Sequence, residues 1–362
     1  MNAPEPLNLE QYGPHRLTIE LVDICNLHCS YCLRDDDALY GHRPNFLSLS
    51  LLQHLLPEAR AVMGVTRLCF TGGEPSLHPE FAEILRLTSA NNLKASFVTN
   101  GWNFERIWPA ILSARESLTH VAFSIDGVSA ADHDRWRGAG SFRRLVGAFT
   151  RCYKVALPFG LKVGIRRDTV PKLEQIALFA ARMGAESLSF SHILPTRPTA
   201  EGEHGLNMSE RLIAEQEIAS LARIFKMTIN LDVGYYNLDT KPPCSPLAGT
   251  NCNIDYRGRL TLCCNLSGFR GGAGEEDVVA DLNRESFQSA YARLQRLATL
   301  QVERRANAIK ELQNSNAPKD LYVGSPCLYC LQSFGKIPWR TTGARASDTD
   351  CLPVIGQNPA VA

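Results

Sequence analysis

Three cysteines fall within eight residues, at Cys25, Cys29 and Cys32, spaced Cys-x-x-x-Cys-x-x-Cys. Three thiolates are one fewer than an iron–sulfur cube needs for closed coordination, so one iron is left open for another ligand. Clustered cysteines also serve as zinc ligands or as small buried hydrophobes. Structural zinc takes four ligands, commonly as two spaced pairs, and only His28, inside the loop itself, stands at a short distance. Iron–sulfur ligation therefore leads. Cysteines return at Cys244, Cys252, Cys263, Cys264, Cys327, Cys330 and Cys351, while Cys69 and Cys152 read as buried packing residues.

The elements that must position the triplet follow from the apolar pattern. Arg16-Leu-Thr-Ile-Glu-Leu-Val22 alternates as a strand and runs straight into the cysteine loop. A helix over Ser50–Val62 leads to a strand over Thr66–Thr71, which ends in Gly72-Gly-Glu-Pro75. Helices over Pro79–Asn91, Ile107–Ala114, Phe142–Lys154 and Leu173–Met183 then alternate with strands at Lys94–Gly101, His120–Gly127, Leu161–Ile165 and Ser187–His192. Such alternation implies an α/β fold with a parallel sheet and right-handed crossovers. Six units make a partial (β/α)6, TIM-like barrel. Each strand ends in a polar or glycine-rich turn, where barrels of this kind keep their active sites.

The chain of 362 residues is long enough for one large domain and a smaller one. With 38 Lys plus Arg against 37 Asp plus Glu, its net charge of +1 gives no global footprint for nucleic acid. Met1–Arg16 has no apolar run and carries Pro4, Pro6 and Pro14, so no signal or transit peptide is expected there. No apolar stretch reaches the length of a bilayer span, which makes the expected location cytoplasmic and away from the membrane. Without a secretory signal, twelve cysteines argue for metal ligation or redox work rather than a disulfide framework.

With Tyr31 just before the last cysteine, the triplet resembles the cluster loop of radical S-adenosylmethionine (radical SAM) enzymes. In that family a [4Fe-4S] cluster binds the methionine amino and carboxylate groups of S-adenosylmethionine (SAM) at its open iron. Gly72, Gly73 and Glu74 resemble the family's second motif, which holds the SAM amino group; two glycines allow close backbone approach. Thr99, Asn100, Ser124 and Asp126 end strands three and four, where the family contacts the methionine and ribose portions; turn chemistry or helix capping is the alternative. Asp132-His-Asp-Arg-Trp-Arg-Gly138 resembles a segment of the branch with extra clusters, and Arg137 matches an arginine that pairs with the SAM carboxylate. Gly164 suits an adenine close to strand five, while Ser191 and His192 end strand six beside adenine or substrate, His192 equally as a structural histidine.

Near Asn230 the alternation stops, and Lys241-Pro-Pro-Cys-Ser-Pro246 reads as a turn-rich entry to a second unit. Thirteen residues separate Cys244 from Gly258, and four separate Gly258 from Cys263. This resembles the opening of SPASM and twitch domains, C-terminal modules that hold auxiliary iron–sulfur clusters. Asp255-Tyr-Arg-Gly258 would be the hairpin turn. Val278–Leu282 and Glu285-Ser-Phe287 also resemble the segment those modules place after the hairpin, and a long helix from Phe287 to about Gln313 precedes Cys327-Leu-Tyr-Cys330. Cys244, Cys263, Cys327 and Cys330 would hold one auxiliary [4Fe-4S] cluster; zinc fits the same thiolates, and the family context favours iron. Cys252 rivals Cys244 and Cys264 rivals Cys263, because neighbours in a strand point opposite ways. Only Cys351 follows Cys330, after twenty residues, which argues for one auxiliary cluster.

The expected domains are a radical SAM core over 1–235, a SPASM/twitch-like domain over 236–335 and a tail over 336–362. The resemblance implies reductive cleavage of SAM to a 5′-deoxyadenosyl radical, hydrogen abstraction from a substrate C–H bond, and a flavodoxin- or ferredoxin-type electron donor. The auxiliary cluster would take an electron from the substrate radical. Oxidation or rearrangement of a small metabolite stands first, because only about fifteen residues precede strand one and no peptide-recognition domain is read there. Maturation of a ribosomal peptide is the alternative, and a non-catalytic iron–sulfur carrier a second. No cobalamin-binding domain is read ahead of the barrel, and the ending Ala360-Val-Ala362 lacks the Gly-Gly tail of molybdopterin-precursor cyclases.

Overall fold

The computed structural model describes residues 15–34, 39–40, 43–196, 204–315 and 319–339. Expectations for the first fourteen residues, for Cys351 and for the tail beyond residue 339 lie outside these residues. The chain begins β1 (Arg16–Val22), α1 (Leu49–Met63), β2 (Arg67–Gly72), α2 (Phe81–Ala90), β3 (Lys94–Thr99) and α3 (Phe104–Ser113). It continues β4 (Leu118–Ile125), α4 (Ala130–Arg137), α5 (Ser141–Lys154), β5 (Phe159–Ile165), α6 (Leu173–Arg182) and β6 (Ser187–His192). Then come α7 (Met208–Ile224) and β7 (Thr228–Val233). These seven strands pair in chain order and all in parallel.

The six expected strands are present, and β7 adds a seventh near Asn230, where the sequence pattern places the end of the alternation. Its Thr-Ile-Asn-Leu-Asp-Val pattern is short and leaves most side chains partly exposed, so it carries little apolar signal. The helix before it, α7, starts with a capping box in which Asn207 and Glu210 satisfy each other's backbone N–H groups.

The second half does not stand apart from this sheet. β8 (Asn251–Ile254), β9 (Arg259–Thr261) and β10 (Val278–Asp281) precede α8 (Phe287–Asn314), the short α9 (Leu321–Gly324) and α10 (Pro326–Ser333). β8 pairs in parallel with β1, and β9 and β10 continue as antiparallel neighbours, giving one ten-stranded sheet ordered β10-β9-β8-β1-β2-β3-β4-β5-β6-β7. Gly258 makes the β8–β9 turn at φ 80°, as the hairpin motif requires. Among the described residues, no helix is long and apolar enough to cross a membrane.

Strand alternation separates two environments. Leu17, Ile19 and Leu21 of β1 join Leu52, Leu55 and Leu56 of α1 in the hydrophobic core. Thr18 and Glu20, between them, are buried in polar company: Thr18 donates to Asn251, and Asn253 donates to Glu20 at 2.8 Å. Further along the helix layer, Phe123 meets Phe104 and Phe149 edge-on, with centroids 5.0 and 5.1 Å apart. Cys152 is buried there as expected, whereas Cys69 on β2 is half-exposed, because the residue type alone does not fix which side of a strand it takes.

The end of β2 is packed most closely against the cysteine loop. Gly73 N–H donates to Val22 O at 2.9 Å and Glu74 N–H to Ile24 O at 2.8 Å, so the Gly-Gly-Glu turn extends the ladder past β1. A Cβ on Gly73 would lie 2.0 Å from Ile24 O, and one on Gly72, at φ 138°, 2.4 Å from Val22 O. The neighbour that excludes side chains here is the chain's own backbone. Gly73→Ala should therefore destabilise the protein by about 1–3 kcal/mol, measured by urea unfolding, through displacement of that backbone.

Candidate functional site

The cysteine loop leaves β1 and is held from the ends of neighbouring strands. Glu74, buried after β2, accepts hydrogen bonds from Thr99 Oγ1 at 2.8 Å, the Asn100 N–H at 2.8 Å and the Ser76 N–H at 3.2 Å. Burial raises its pKa, and these donors oppose the shift. Asn100 passes the connection on: its Nδ2 donates to Asn26 Oδ1 at 3.0 Å and approaches Cys25 Sγ at 3.8 Å. Two of the expected cofactor-binding side chains, Glu74 and Asn100, thus join β2, β3 and the loop.

A second connection runs through Asp126, at the end of β4. Its Oδ1 accepts Arg166 Nη1 at 2.6 Å; its Oδ2 accepts the Tyr31 hydroxyl at 2.5 Å and Arg137 Nε. Arg137 also donates to the Tyr31 oxygen at 2.8 Å, and Arg166 reaches Asp168 at 3.1 Å. The Arg166 guanidinium lies 4.1 Å from the Trp136 ring centroid and 4.9 Å from that of Tyr31, a cation–π arrangement. Burial pushes the Asp126 pKa up, but the guanidiniums of Arg137 and Arg166 overcome this and hold it at about 2. Burial lowers His133 to about 4, so its neutral ring can accept the Asp126 N–H at 3.1 Å.

Arg166 is the residue that sequence reading missed. It follows β5 directly, in the strand-end position that elsewhere singled out polar residues, yet an arginine there reads as a solvated side chain. It is 0% exposed, and its Nη2 has no acceptor among the described residues. Ser124 and Ser191 sit partly buried in β4 and β6, Ser191 opposite Gly164. A Cβ on Gly164 would lie 3.5 Å from Tyr31 Cε2, so the glycine borders the Tyr31 ring. His192, buried at the end of β6, is 3.3 Å from Glu215 of α7, a contact in keeping with a structural histidine.

The second set of expected cysteine ligands lies on the stretch before β8, just after β9 and on α10. Cys244 has Cys327 and Cys330 as charge neighbours, and Cys263 has Cys244. Cys327 and Cys330 share one face of α10 by their i, i+3 spacing. Three of these sulfurs face N–H donors: Gly234 N–H at 3.4 Å from Cys327, Asn265 N–H at 3.5 Å from Cys263, and Gln301 Nε2 at 3.6 Å from Cys330. Cys252 lies within β8 in the core, where burial alone raises its pKa, while Cys264 has its pKa lowered beside Cys263 and Arg34.

Both groups suit iron–sulfur ligation in their donor chemistry. All cysteines among the described residues are free. Burial pushes the Cys25 and Cys244 thiols up to about 12, so a thiolate there needs a cationic partner, which iron supplies. Among the described residues no three His, Cys, Asp or Glu side chains converge on a single metal ion; in a cluster each thiolate takes its own iron.

Residues 19–180, from β1 into α6, match the sequence profile of the Radical SAM superfamily. This part of the chain is a radical SAM domain. The chain is 27% identical over 278 residues to a GTP 3′,8-cyclase from Synechococcus elongatus, covering 72% of this chain and 82% of the cyclase. It is 32% identical over 206 residues to the mycofactocin maturase MftC of Mycobacterium tuberculosis, covering 54% of this chain. It spans about half the length of that maturase, 50%. Two solved structures share the fold. Streptococcus suis SuiB bound to its precursor peptide SuiA has a TM-score of 0.60 at 12% identity, covering 87% of this chain and 70% of SuiB. Native anSMEcpe with bound AdoMet and the Cp18Cys peptide has a TM-score of 0.63 at 15% identity, covering 87% of this chain and 88% of that one. The α/β fold expected from sequence, a large mostly parallel sheet consistent with a partial barrel, is thereby shown, and the relatives of its radical SAM part include enzymes.

The depressed pKa of Asp126 predicts an acid-sensitive site. Its folded value lies below the ordinary 3.8, so its stabilisation is complete above about pH 4 and is lost as pH falls through about 2. The amount is roughly 2 kcal/mol. Asp126→Asn should flatten that part of the pH dependence of urea unfolding. It should also lower neutral-pH stability by about 3–5 kcal/mol, because two buried guanidiniums lose their counter-charge.

Proposed function

We propose that this chain is a radical SAM enzyme that matures a peptide, with one auxiliary [4Fe-4S] cluster in a SPASM/twitch-like C-terminal part. The observation that carries the peptide substrate is the likeness to a mycofactocin maturase at 32% identity, stronger per residue than that to the cyclase. Peptide-bound proteins of the same fold support it. A small metabolite, first in the sequence reading, moves to second place. The number of residues ahead of β1 carries no weight against a peptide, since a recognition protein can be separate.

Cys25, Cys29 and Cys32 would hold the first cluster, with SAM at its open iron; Cys244, Cys263, Cys327 and Cys330 would hold the second. When bound, cluster and SAM together supply a 5′-deoxyadenosyl radical able to take hydrogen from a C–H bond. The chain's own work is to hold and shield. Arg137, steered by Asp126 and Tyr31, offers a guanidinium to the SAM carboxylate, and the strand-end positions of Gly72, Gly73, Ser124 and Ser191 fit a ligand lying across the barrel mouth. The closed Asp126 network keeps water from this side of the loop. A flavodoxin- or ferredoxin-type protein is the proposed electron donor.

Anaerobically reconstituted protein given dithionite and SAM should release 5′-deoxyadenosine, and Cys29→Ala should abolish release. Cys327→Ala with Cys330→Ala should lose about half of the iron and all modified peptide while still cleaving some SAM. A precursor peptide and GTP, offered in parallel, separate the two substrate classes by mass spectrometry. Conversion of GTP alone would replace the maturase by a cyclase-like activity, and iron-loaded protein that cleaves no SAM would leave only an electron carrier.

A further inference from the structure

The loop after Cys32 and the turn that begins at Cys263 meet at one ion pair. Arg34 stands two residues after Cys32, and its guanidinium pairs with Glu20 at 3.0 Å. Glu20 is buried in β1 and also accepts Asn253 Nδ2 at 2.8 Å and Ser267 Oγ at 3.2 Å. Arg34 Nη1 donates in turn to the Ser267 carbonyl. Ser267 closes a turn that begins at Cys263, its N–H lying 3.3 Å from the Cys263 carbonyl. The backbones are joined as well: Arg270 N–H donates to Leu33 O at 2.8 Å, and Arg34 and Phe269 form an antiparallel bridge. The loop after the first cysteines is thus stitched to the loop after Cys263 and Cys264, and Cys32 and Cys264 are both charge neighbours of Arg34.

A positive charge near an iron–sulfur cluster favours its more reduced, more negative form, and net charge and hydrogen bonding near sulfur are what set cluster potentials. A buried charge does this with little screening by salt. We propose that Arg34 is a positioning residue shared by the two thiol groups, fixing the Cys263–Ser267 turn against the Cys32 loop and placing one charge, opposed by Glu20, where both cluster potentials respond to it. This rests on the second thiol group being a cluster site. The guanidinium fork reaches Glu20 and the Ser267 carbonyl together; a lysine ammonium would keep the charge beside Glu20, which is what the potentials respond to, and lose only the second arm of the fork.

The test is an EPR-monitored redox titration of the full chain, reconstituted anaerobically, with iron and sulfide analysis. Arg34→Gln should move both cluster signals to more negative potential, and Glu20→Gln should move both to more positive potential. Arg34→Lys should stay nearest the wild type. A merely structural role gives loss of clusters or shifts of one sign, so shifts of the same sign in the Gln variants, or a response of one signal only, would overturn the proposal. Where Arg34→Gln does not fold, Glu20→Gln and Arg34→Lys decide: an upward shift of both signals in the first and near-native potentials in the second support it, and any other pattern overturns it. Wild-type iron separates the two levels. About eight irons per chain without the signed shifts overturns the shared charge alone, and about four overturns the auxiliary cluster and the sharing with it.

Discussion

One carboxylate, that of Asp126, divides its two oxygens among two guanidiniums and a phenol, and the geometry of the barrel mouth depends on that division. Taking these charges out of water costs several kcal/mol per ion, and their attraction offsets this only with good geometry and satisfied lone pairs. Here both oxygens are used, the Asp126 backbone is held by His133, and Arg166 is covered by Trp136. The outcome is geometry more than stability. Tyr31, on a loop without regular structure, is fixed by groups from β4, β5 and α4, which belong to the rigid scaffold.

The same logic recurs on the other side of the loop with different chemistry. Glu74 collects neutral donors from β3, and Asn100 carries the connection to Asn26 and Cys25. Glu20 collects Arg34, Asn253 and Ser267. Three buried carboxylates, each at or near a strand end, therefore pin a loop that, among the described residues, has few backbone hydrogen bonds of its own. A loop that must admit a bulky inorganic group cannot be filled with apolar side chains, so polar contacts from outside hold it in place.

Much of this was legible in the residues. The alternation of apolar residues located β1 to β6 to within a few positions because their buried apolar side chains recur at every second place, as Leu188 and Phe190 of β6 do between partly buried serines. The same signal was weak at β7, a short strand at the sheet edge that leaves most side chains partly exposed. The cysteine triplet and Gly72-Gly-Glu74 were visible as local motifs, and Arg137 through its surrounding segment. Arg166 was not, since nothing in a run of sequence shows that an arginine will be buried against an aspartate forty residues earlier. Nor did sequence reveal that the C-terminal hairpin joins the barrel's own sheet, because strand pairing over more than two hundred residues leaves no local pattern.

That pairing has a consequence for how the chain assembles. Of the ten strands described, β1 leaves the ribosome before the others, yet one of its two strand neighbours, β8, is made more than two hundred residues later. Until then β1 is an exposed edge, and the backbone groups that later bond Asn251–Ile254 are free to pair wrongly. Closing so long a loop is slow even where its entropic cost grows only gently with length. The cysteine loop shares this history, since Glu20 and Arg34 gain Asn253 and Ser267 only when the last strands dock. Synthesis and maturation of this protein are therefore ordered in time: the first thiols made are among the last to be locked in place.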